Sequence, residues 1–332
     1  MLQFIIFLFI IKLGDIMYTK RKLNYKLIFT IIVIIIAIAA GTIGIKKYID
    51  YRNSNEFKLK QIGYNETEIK DITKLKDDQI KAILKKKYNR LNIKFIRQKY
   101  FITNNLDKYI KYYNNHKDDK ISHIVSIVNV CADEDYYDKD TVKKTDISKK
   151  ELMLVNKFNY LDENYAPDDI VKVSMQFAYG DNEIKKEVYE KFRSMYNDAK
   201  KEGLYLIITS SYRDYNFQKE LWDSYANQKG DEWADSVSAR AGYSEHQTGY
   251  TLDIVTYNAN MSSFEKTDEF KWLQDNAYKY GFILRYPKDK EDITGYSYES
   301  WHYRYVGKDV ATKIKKLGIT FDEYYAYFIE GK

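Results

Sequence analysis

The sequence predicts an α+β protein, in which a mostly antiparallel sheet with flanking helices follows a transmembrane helix and a small helical region. Three observations support this prediction. From residue 151 onward, strand-like and helix-like patterns mix without a regular βαβ repeat. Residues 46–150 carry helical spacing, and residues 27–45 contain no charged side chain. We therefore expect four regions, namely 1–26, 27–45, 46–150 and 151–332.

Residues 27–45 have the composition of a membrane-spanning helix. At about 1.5 Å per residue they would span about 28 Å, close to the ~30 Å of a hydrocarbon core. Four Lys or Arg residues lie between positions 20 and 26, whereas two follow the segment. This bias predicts a single-pass protein with residues 1–26 in the cytoplasm and the larger part extracellular. A cleaved signal peptide is the alternative. Met17 opens a basic segment of its own, so we interpret residues 1–16 as an upstream mis-start.

The net charge of +6 is concentrated near the N-terminus. Residues 1–50 hold seven Lys or Arg against two Asp, so residues 51–332 carry only about +1, with both signs interspersed. This distribution argues against a nucleic-acid partner. Cys131 is the single cysteine, which excludes an intramolecular disulfide.

Residues 46–150 show the signals of several short helices. Asn65 and Glu68 have the spacing of a capping box. Apolar residues at helical spacing predict three helices, around Ile69–Leu75, Ile80–Tyr88 and Leu106–Tyr113. We interpret the region as a spacer that holds the following domain away from the membrane, with a partner-binding role as the alternative.

The region from residue 151 contains both kinds of element. The predicted strands are Leu152–Val155, Leu204–Thr209, Thr251–Val255, Phe282–Arg285 and Trp301–Val306. The predicted helices are 184–199, capped by Asp181 or Asn182 and followed by Gly203, then 217–228 and 268–280.

Two segments of this region carry side chains suited to a metal ion. Ser244–Asp253 contains His246 and, seven positions later, Asp253 near the start of a predicted strand. Glu299–His302 ends in a second imidazole. Two imidazoles, a carboxylate and an open fourth position are what a catalytic zinc ion needs. His246, Asp253 and His302 are therefore candidate ligands of Zn²⁺, and a zinc hydrolase is the leading hypothesis.

Two further side chains complete the candidate chemistry. Glu299 can join the site only if Ser300 lies in a turn, because residues three apart on a regular strand point to opposite faces. It would then accept a proton from the attacking water and pass it to the leaving amine. Arg213, which follows the second predicted strand, could bind a carboxylate or stabilise an oxyanion. A surface ion pair with Asp214 or Glu220 is the alternative.

Several ordered motifs lie between residues 151 and 327. They are Leu154-Val155-Asn156-Lys157, Ser210-x-x-Arg213 with Gln218, Ser244-x-His246-x-x-Gly249-x-x-x-Asp253, Gly281-Phe282-Ile283-Leu284-Arg285-Tyr286-Pro287 and Glu299-x-Trp301-His302-x-Arg304-Tyr305. Together these motifs closely resemble the VanY-type zinc D-alanyl-D-alanine carboxypeptidases of bacterial cell-wall metabolism.

The resemblance implies roles for eight residues and a substrate. The implied zinc ligands are His246, Asp253 and His302. The implied catalytic base is Glu299, and the implied stabiliser of the scissile carbonyl oxygen is Arg213. The residues that would line the substrate cleft are Ser210, Gln218 and Ser244. The implied substrate is the peptidoglycan stem peptide, which would lose its C-terminal D-amino acid.

The chain departs from the family pattern at a few positions. The family usually has Pro at the position of Ser300 and often at that of Ala241, and commonly Leu-Ala at Tyr250-Thr251. None of these changes removes a ligand, so catalysis is expected while the fine specificity stays open. An LD-carboxypeptidase acting on tetrapeptide stems and cleavage of D-lactate-ended stems are alternatives with the same chemistry. An inactive, membrane-tethered wall-binding protein is the alternative from another class, and it predicts a missing ligand or base.

Overall fold

A computed structural model describes residues 25–330 of the chain, which forms two compact units. The first unit ends at Asn89, and the second begins at Arg90. The predicted cytoplasmic segment 1–26, with its proposed mis-start, lies almost entirely outside the described residues.

The described part of the first unit is helical. Its helices are α1 (Tyr25–Asn53), α2 (Asn55–Ile62), α3 (Glu66–Ile72) and α4 (Asp77–Leu84). Helix α1 contains the predicted apolar segment 27–45, and none of its 29 residues is buried. In length and composition α1 could cross a membrane, although a signal sequence near the N-terminus would have the same properties.

The predicted capping box at the start of α3 is confirmed. The Asn65 side chain accepts hydrogen bonds from the backbone N–H groups of Thr67 and Glu68. In return, Glu68 Oε2 accepts a hydrogen bond from the Asn65 backbone N–H at 3.0 Å. Gly63 ends the preceding helix at φ 120°, a left-handed conformation that a residue without Cβ adopts readily.

The second unit begins with three helices that share an apolar core. They are α5 (Arg90–Ile96), α6 (Leu106–Asn115) and α7 (Ile121–Asn129). The buried residues of their core are Phe95, Leu106, Tyr109, Ile124, Val125 and Val128. Ser126 on α7 donates a hydrogen bond to Glu323 at 2.7 Å, in a contact 197 residues apart in sequence. Residues 90–129, which the sequence analysis assigned to the spacer, therefore pack into the same unit as the C-terminal part of the chain.

The strands of the second unit form one four-stranded sheet and two small pairs. The strands are β1 (Lys143–Lys144), β2 (Asn159–Tyr160), β3 (Ile170–Lys172), β4 (Glu183–Lys185), β5 (Ile207–Ser210), β6 (Thr251–Val255), β7 (Phe282–Leu284) and β8 (His302–Tyr305). The main sheet has the order β5-β6-β8-β7, and its three pairings are antiparallel. The pair β3–β4 is antiparallel, and the pair β1–β2 is parallel. The predicted mixture of helices and strands is confirmed.

Seven more helices accompany these strands within the described residues. They are α8 (Lys186–Lys201), α9 (Tyr215–Lys229), α10 (Asp231–Val237), α11 (Asp268–Asn276), α12 (Glu291–Thr294), α13 (Lys308–Leu317) and α14 (Phe321–Tyr325). Short 3₁₀ turns lie at Thr103–Asn105, Ile147–Leu152, Glu245–Thr248, Phe264–Lys266 and Ala277–Tyr280, and a π-turn at Ala326–Glu330. The predicted apolar face of α8 is buried in the main core together with Leu252 and Ile254 of β6. Because side chains alternate along a strand, Asp253 points to the opposite face of the sheet.

Two local predictions are wrong. The segment Leu152–Val155 is not a strand, and two of its carbonyl groups accept hydrogen bonds from side chains instead of from a neighbouring strand. Arg304 donates to the carbonyl of Met153, and Thr145 donates to that of Leu154. Asp181 and Asn182 do not cap α8, because strand β4 leads directly into the helix and Lys185 stands at the cap position.

Candidate active site

The three candidate ligands meet on the face of the sheet opposite the main core. Strand register places Asp253 of β6 opposite His302 at the start of β8 on one side and opposite Ser210 of β5 on the other. His246 lies in the 3₁₀ turn that precedes β6, and Gly249 ends this turn in a left-handed conformation at φ 72°. A Cβ at Gly249 would lie 2.9 Å from Lys185 Cγ, so both the backbone angle and the close packing require glycine.

The ligand atoms of these residues converge on one point. One atom from each of His246, Asp253 and His302 lies within 4.8 Å of the others, and all three side chains are buried. His246 Nε2 is 3.5 Å from Asp253 Oδ2, and His302 Nδ1 is 3.5 Å from Asp253 Oδ1. The carboxylate thus presents one oxygen to each imidazole.

The residues fit a bound metal ion. His246 Nδ1 lies 2.6 Å from the Ser211 carbonyl, which can only accept, so the ring proton belongs on Nδ1 and the Nε2 lone pair faces the site. Asp253 Oδ1 is buried without a hydrogen-bond partner among the described residues. Burial and the nearby Arg213 lower the pKa of His246 to about 4. Burial opposes ionisation of Asp253, but the imidazoles outweigh it and lower the pKa of Asp253 to about 2. Both groups are therefore in the protonation states that metal ligation needs.

Glu299 reaches the site through a turn. Ser300 and Trp301 form this turn immediately before β8, which meets the condition set by the sequence analysis. The backbone N–H of Glu299 donates to the Tyr286 carbonyl at 3.1 Å, and Glu299 Oε2 lies 3.2 Å from His302 Nδ1. Burial raises the pKa of the Glu299 carboxyl. A raised pKa brings a carboxyl group closer to the neutral range in which it can both accept and return a proton.

Arg213 follows β5 and points into the same cavity. Its Nη1 donates to Ser210 Oγ at 3.3 Å, and its backbone N–H donates to the His246 carbonyl at 3.3 Å. Its buried Nε has no hydrogen-bond partner among the described residues, and burial lowers the pKa of the guanidinium. The carboxylate of Asp214 caps α9 through the Phe217 backbone N–H at 2.7 Å.

The cavity around these groups has a volume of about 160 Å³. Among the described residues, Arg213 is the one Lys or Arg that lines it. Its lining also includes the apolar side chains of Leu221, Val237 and Met261 and the ring of Tyr225. The cavity therefore combines one fixed positive charge and the candidate metal site with apolar side chains.

The three residues predicted to line the substrate cleft occupy different positions. Ser244 lines the cavity and caps the turn that carries His246. Ser210 supports Arg213 through the hydrogen bond described above. Gln218 is buried, and its side chain donates to Ser238 Oγ at 3.1 Å and to the Ala239 carbonyl at 2.7 Å. Ser238 and Ala239 line the cavity, so these two hydrogen bonds connect Gln218 to the cavity wall.

A buried charged cluster lies behind His302, and its members had no predicted role. Glu245 accepts hydrogen bonds from Arg285 Nε at 2.9 Å and from Arg304 Nη1 at 3.0 Å. Arg285 also binds Asp322 of α14. The signal in the sequence was the position of Arg285 and Arg304 in predicted strands that are otherwise rich in apolar and aromatic residues. Because an unpaired buried charge is costly, two arginines at such positions indicate buried acidic partners.

The cluster keeps Glu245 ionised. Burial by itself would raise the pKa of Glu245, but the guanidinium groups of Arg285 and Arg304 outweigh it and hold this pKa well below its usual range. Burial also disfavours the charged form of His302, yet the carboxylates of Glu245 and Glu299 raise the pKa of His302 to about 9.

Comparison with known proteins is consistent with this site. The sequence profile of the VanY family, described as D-alanyl-D-alanine carboxypeptidase, matches residues 181–308. A D-alanyl-D-alanine carboxypeptidase of Enterococcus faecium is 37% identical over 201 residues, which make up 58% of this chain and 63% of that protein. The bifunctional D-Ala-D-Ala dipeptidase and D-Ala-D-Ala carboxypeptidase VanXYC of Enterococcus gallinarum is 30% identical over 186 residues, or 54% of this chain and 95% of that protein.

A solved structure shows the same relationship. The LD-carboxypeptidase LdcB is 41% identical with a TM-score of 0.54, over 58% of this chain and 94% of that structure. The chain spans only 66%, 63% and 65% of the length of three curated relatives. VanXYC and the LdcB structure, in contrast, are matched over nearly their whole length. The chain therefore belongs to the VanY family of D-alanyl-D-alanine carboxypeptidases.

Proposed function

We propose that this protein is a zinc-dependent carboxypeptidase that removes the C-terminal D-amino acid from peptidoglycan stem peptides, with D-alanyl-D-alanine ends as substrate. The observation that carries the proposal is the convergence of two imidazoles, the Asp253 carboxylate, Glu299 and Arg213 on one buried cavity. The names of the relatives support the substrate class. An inactive wall-binding protein is disfavoured, because none of the predicted ligands and neither catalytic side chain is missing.

The residues of the chain divide the chemistry among them. His246, Asp253 and His302 would hold the metal ion. When bound, zinc supplies Lewis acidity, which activates water and polarises a carbonyl group. Glu299 accepts a proton as the oxygen of water attacks the carbonyl carbon, and it returns the proton to the amine nitrogen as the C–N bond breaks. The Arg213 guanidinium stabilises the negative charge that develops on the carbonyl oxygen.

Helix α1 belongs to the same proposal. As an uncleaved anchor it would hold the second unit outside the cell, where peptidoglycan lies. Digestion of the chain by a protease added to intact cells would support this topology, and complete protection would contradict it.

The full chain, purified in detergent with one equivalent of zinc, is expected to release D-alanine from a muramyl pentapeptide. A chelator should abolish the release, and added zinc should restore it, because metal binding by imidazole and carboxylate ligands is reversible. Chromatography with mass detection of the shortened stem measures the reaction. Failure to cleave pentapeptide, tetrapeptide and depsipeptide stems alike would contradict the proposed enzyme.

An LD-carboxypeptidase is the second candidate, favoured by the likeness to LdcB. The metal site cannot separate the two activities, because both hydrolyse the bond before a C-terminal D-alanine. The difference lies in the residue that precedes this bond, which would contact the cavity walls. In the same assay, a preference for tetrapeptide over pentapeptide would assign the protein to the LD class.

Replacing Arg213 by Ala is expected to lower kcat/KM by about 10²- to 10³-fold, the usual effect of removing one donor to a developing oxyanion. Arg213→Lys should rescue little of this loss, because an ammonium group does not reproduce the planar guanidinium. Asp214→Ala is a neighbouring control, since this side chain caps α9 rather than facing the cavity. Activity of the Arg213→Ala protein within about twofold of the wild type would contradict the role.

A further inference from the structure

The side chain of Glu245 lies directly behind the candidate metal ligand His302 and is fully buried. Its Oε1 accepts two hydrogen bonds, from Arg285 Nε at 2.9 Å and from Arg304 Nη1 at 3.0 Å. Both arginine side chains are themselves fully buried. One oxygen of the carboxylate is therefore committed to guanidinium groups.

The other oxygen faces the imidazole of His302. Glu245 Oε2 is 3.7 Å from His302 Nε2, and neither atom has a hydrogen-bond partner among residues 25–330. On the other side of the ring, Nδ1 lies 3.5 Å from Asp253 Oδ1 and 3.2 Å from Glu299 Oε2. The ring thus presents Nδ1 to the catalytic cavity and Nε2 to Glu245. Because a buried N–H requires an acceptor, Glu245 Oε2 is the atom placed to receive a proton carried on Nε2.

We propose that Glu245 is a positioning residue, which holds a proton of His302 on Nε2 when a metal ion binds and so leaves the Nδ1 lone pair to that ion. Metal-binding histidines commonly donate their second ring N–H to a carboxylate or a carbonyl, which fixes the tautomer and the ring orientation. The inference rests on the metal site of the proposed function. It concerns a residue outside the predicted ligand set and outside the predicted catalytic pair.

The surrounding contacts hold the Glu245 carboxylate in place. Arg285 is anchored by Asp322 of α14, with Nη1 at 2.5 Å and Nη2 at 3.1 Å from its oxygens. Arg304 Nη2 donates to the carbonyls of Glu151 at 3.0 Å and Met153 at 2.9 Å. Because both guanidinium groups are fixed from behind, they determine which oxygen of Glu245 turns toward the histidine.

Two further contacts hold His302. The ring of Tyr286 lies 4.7 Å from it, centroid to centroid, and the backbone N–H of Arg285 donates to the His302 carbonyl at 3.1 Å. His246 is oriented in another way, through Nδ1 and the Ser211 carbonyl. The two histidines are therefore expected to carry their protons on opposite ring nitrogens.

Substitution of Glu245 by Gln tests the proposal, because the amide has one acceptor oxygen where the carboxylate has two. The two arginines, which can only donate, would take that oxygen and turn the NH₂ group toward His302 Nε2. This arrangement favours the tautomer with the proton on Nδ1, which blocks the ligand atom. We expect the zinc affinity of Glu245→Gln, measured by chelator competition on the full chain in detergent, to fall by about 10- to 100-fold. An affinity within about twofold of the wild type would overturn the proposal.

A matched variant separates this effect from a general loss of stability. Phe192→Leu disturbs the main core on the opposite face of the sheet, where Phe192 is fully buried among apolar residues and away from the Glu245 cluster. It should keep its zinc affinity even where its free energy of unfolding decreases. Equal losses of zinc affinity in the two variants would overturn the positioning role.

The wild-type chain gives a second test that does not depend on how a variant folds. Long-range ¹H–¹⁵N spectra of the zinc-loaded chain, labelled at its four histidines, report the tautomer of each ring. His116→Gln and His123→Gln leave the signals of the two site histidines. We expect His302 protonated at Nε2 and His246 at Nδ1, and a His302 protonated at Nδ1 would overturn the inference.

The outcomes distinguish this inference from the proposed function. A chain that binds zinc with the expected tautomers but cleaves no stem peptide would support the role of Glu245 and contradict the proposed enzyme. A chain that binds no zinc would overturn both.

Discussion

Replacing Glu299 by Gln is expected to lower kcat for stem-peptide hydrolysis by about 10²- to 10⁴-fold, the usual contribution of general acid–base catalysis. Glutamine preserves the shape of the side chain but cannot accept and return a proton. Glu299 is buried, and its Oε2 lies 3.2 Å from His302 Nδ1. Among the described residues that line the cavity, the other carboxylates are the candidate ligand Asp253 and Glu245, which is bound by arginines. Neither is therefore free to replace Glu299 as the base.

The metal content of the same variant is the decisive companion measurement. Because His246, Asp253 and His302 are unchanged, Glu299→Gln should bind one zinc ion per chain, as measured by atomic emission on the dialysed protein. His246→Ala is the contrasting variant and should lose both the metal and the activity. Glu299→Gln protein with activity near the wild-type level would rule out Glu299 as the base, whatever its metal content.

The second large effect concerns stability. Asp322→Ala removes one of the two acidic partners of Arg285, whose side chain has an exposure of 0%. The remaining partner of Arg285 would then be Glu245, which also pairs with Arg304. Breaking a buried charge pair in this way typically costs about 3–5 kcal/mol, because the remaining charge has lost its compensation. Urea unfolding followed by circular dichroism measures the loss.

Two controls define this prediction. Asp322→Ala combined with Arg285→Met should be less destabilised than Asp322→Ala alone, because an apolar side chain replaces the uncompensated charge. Asp268→Ala breaks an ion pair with Lys271 whose side chains are 77% and 69% exposed, and it should leave the free energy of unfolding nearly unchanged. Equal effects of Asp322→Ala and Asp268→Ala would contradict the structural role assigned to the cluster.

Local signals in the sequence predicted local structure well. The capping box at Asn65, the apolar face of α8 and the strand Thr251–Val255 follow from side-chain spacing, and the structure confirms them. The strand predicted at Leu152–Val155 is wrong, because an apolar run indicates burial but not the hydrogen-bond partners of the backbone. The carbonyls of Met153 and Leu154 accept hydrogen bonds from the side chains of Arg304 and Thr145, which the apolar pattern could not reveal.

In the candidate site, too, residue types and spacing were predictable, whereas long-range contacts were not. Residue types and spacing made His246, Asp253, His302, Glu299 and Arg213 candidates, and the ordered motifs of the family supported the same five residues. The structure brings the three ligand atoms within 4.8 Å of one another through the pairing of β6 with β8. Gln218 shows the limit of a motif, because its position in the sequence did not reveal that its amide binds Ser238 and Ala239.

The sequence by itself determined the kind of chemistry that this chain can perform, because ligand types, their order and an apolar N-terminal segment are properties of residue identity and spacing. Only the tertiary structure decided how that chemistry is oriented. Glu245 stands next to His246 in the chain, yet its carboxylate faces His302, fifty-seven positions later, and is held there by Arg285 and Arg304. The choice of ring nitrogen depends on which acceptor lies behind each histidine. That acceptor is set by long-range strand pairing and by the packing of α14, neither of which leaves a periodic pattern in the sequence.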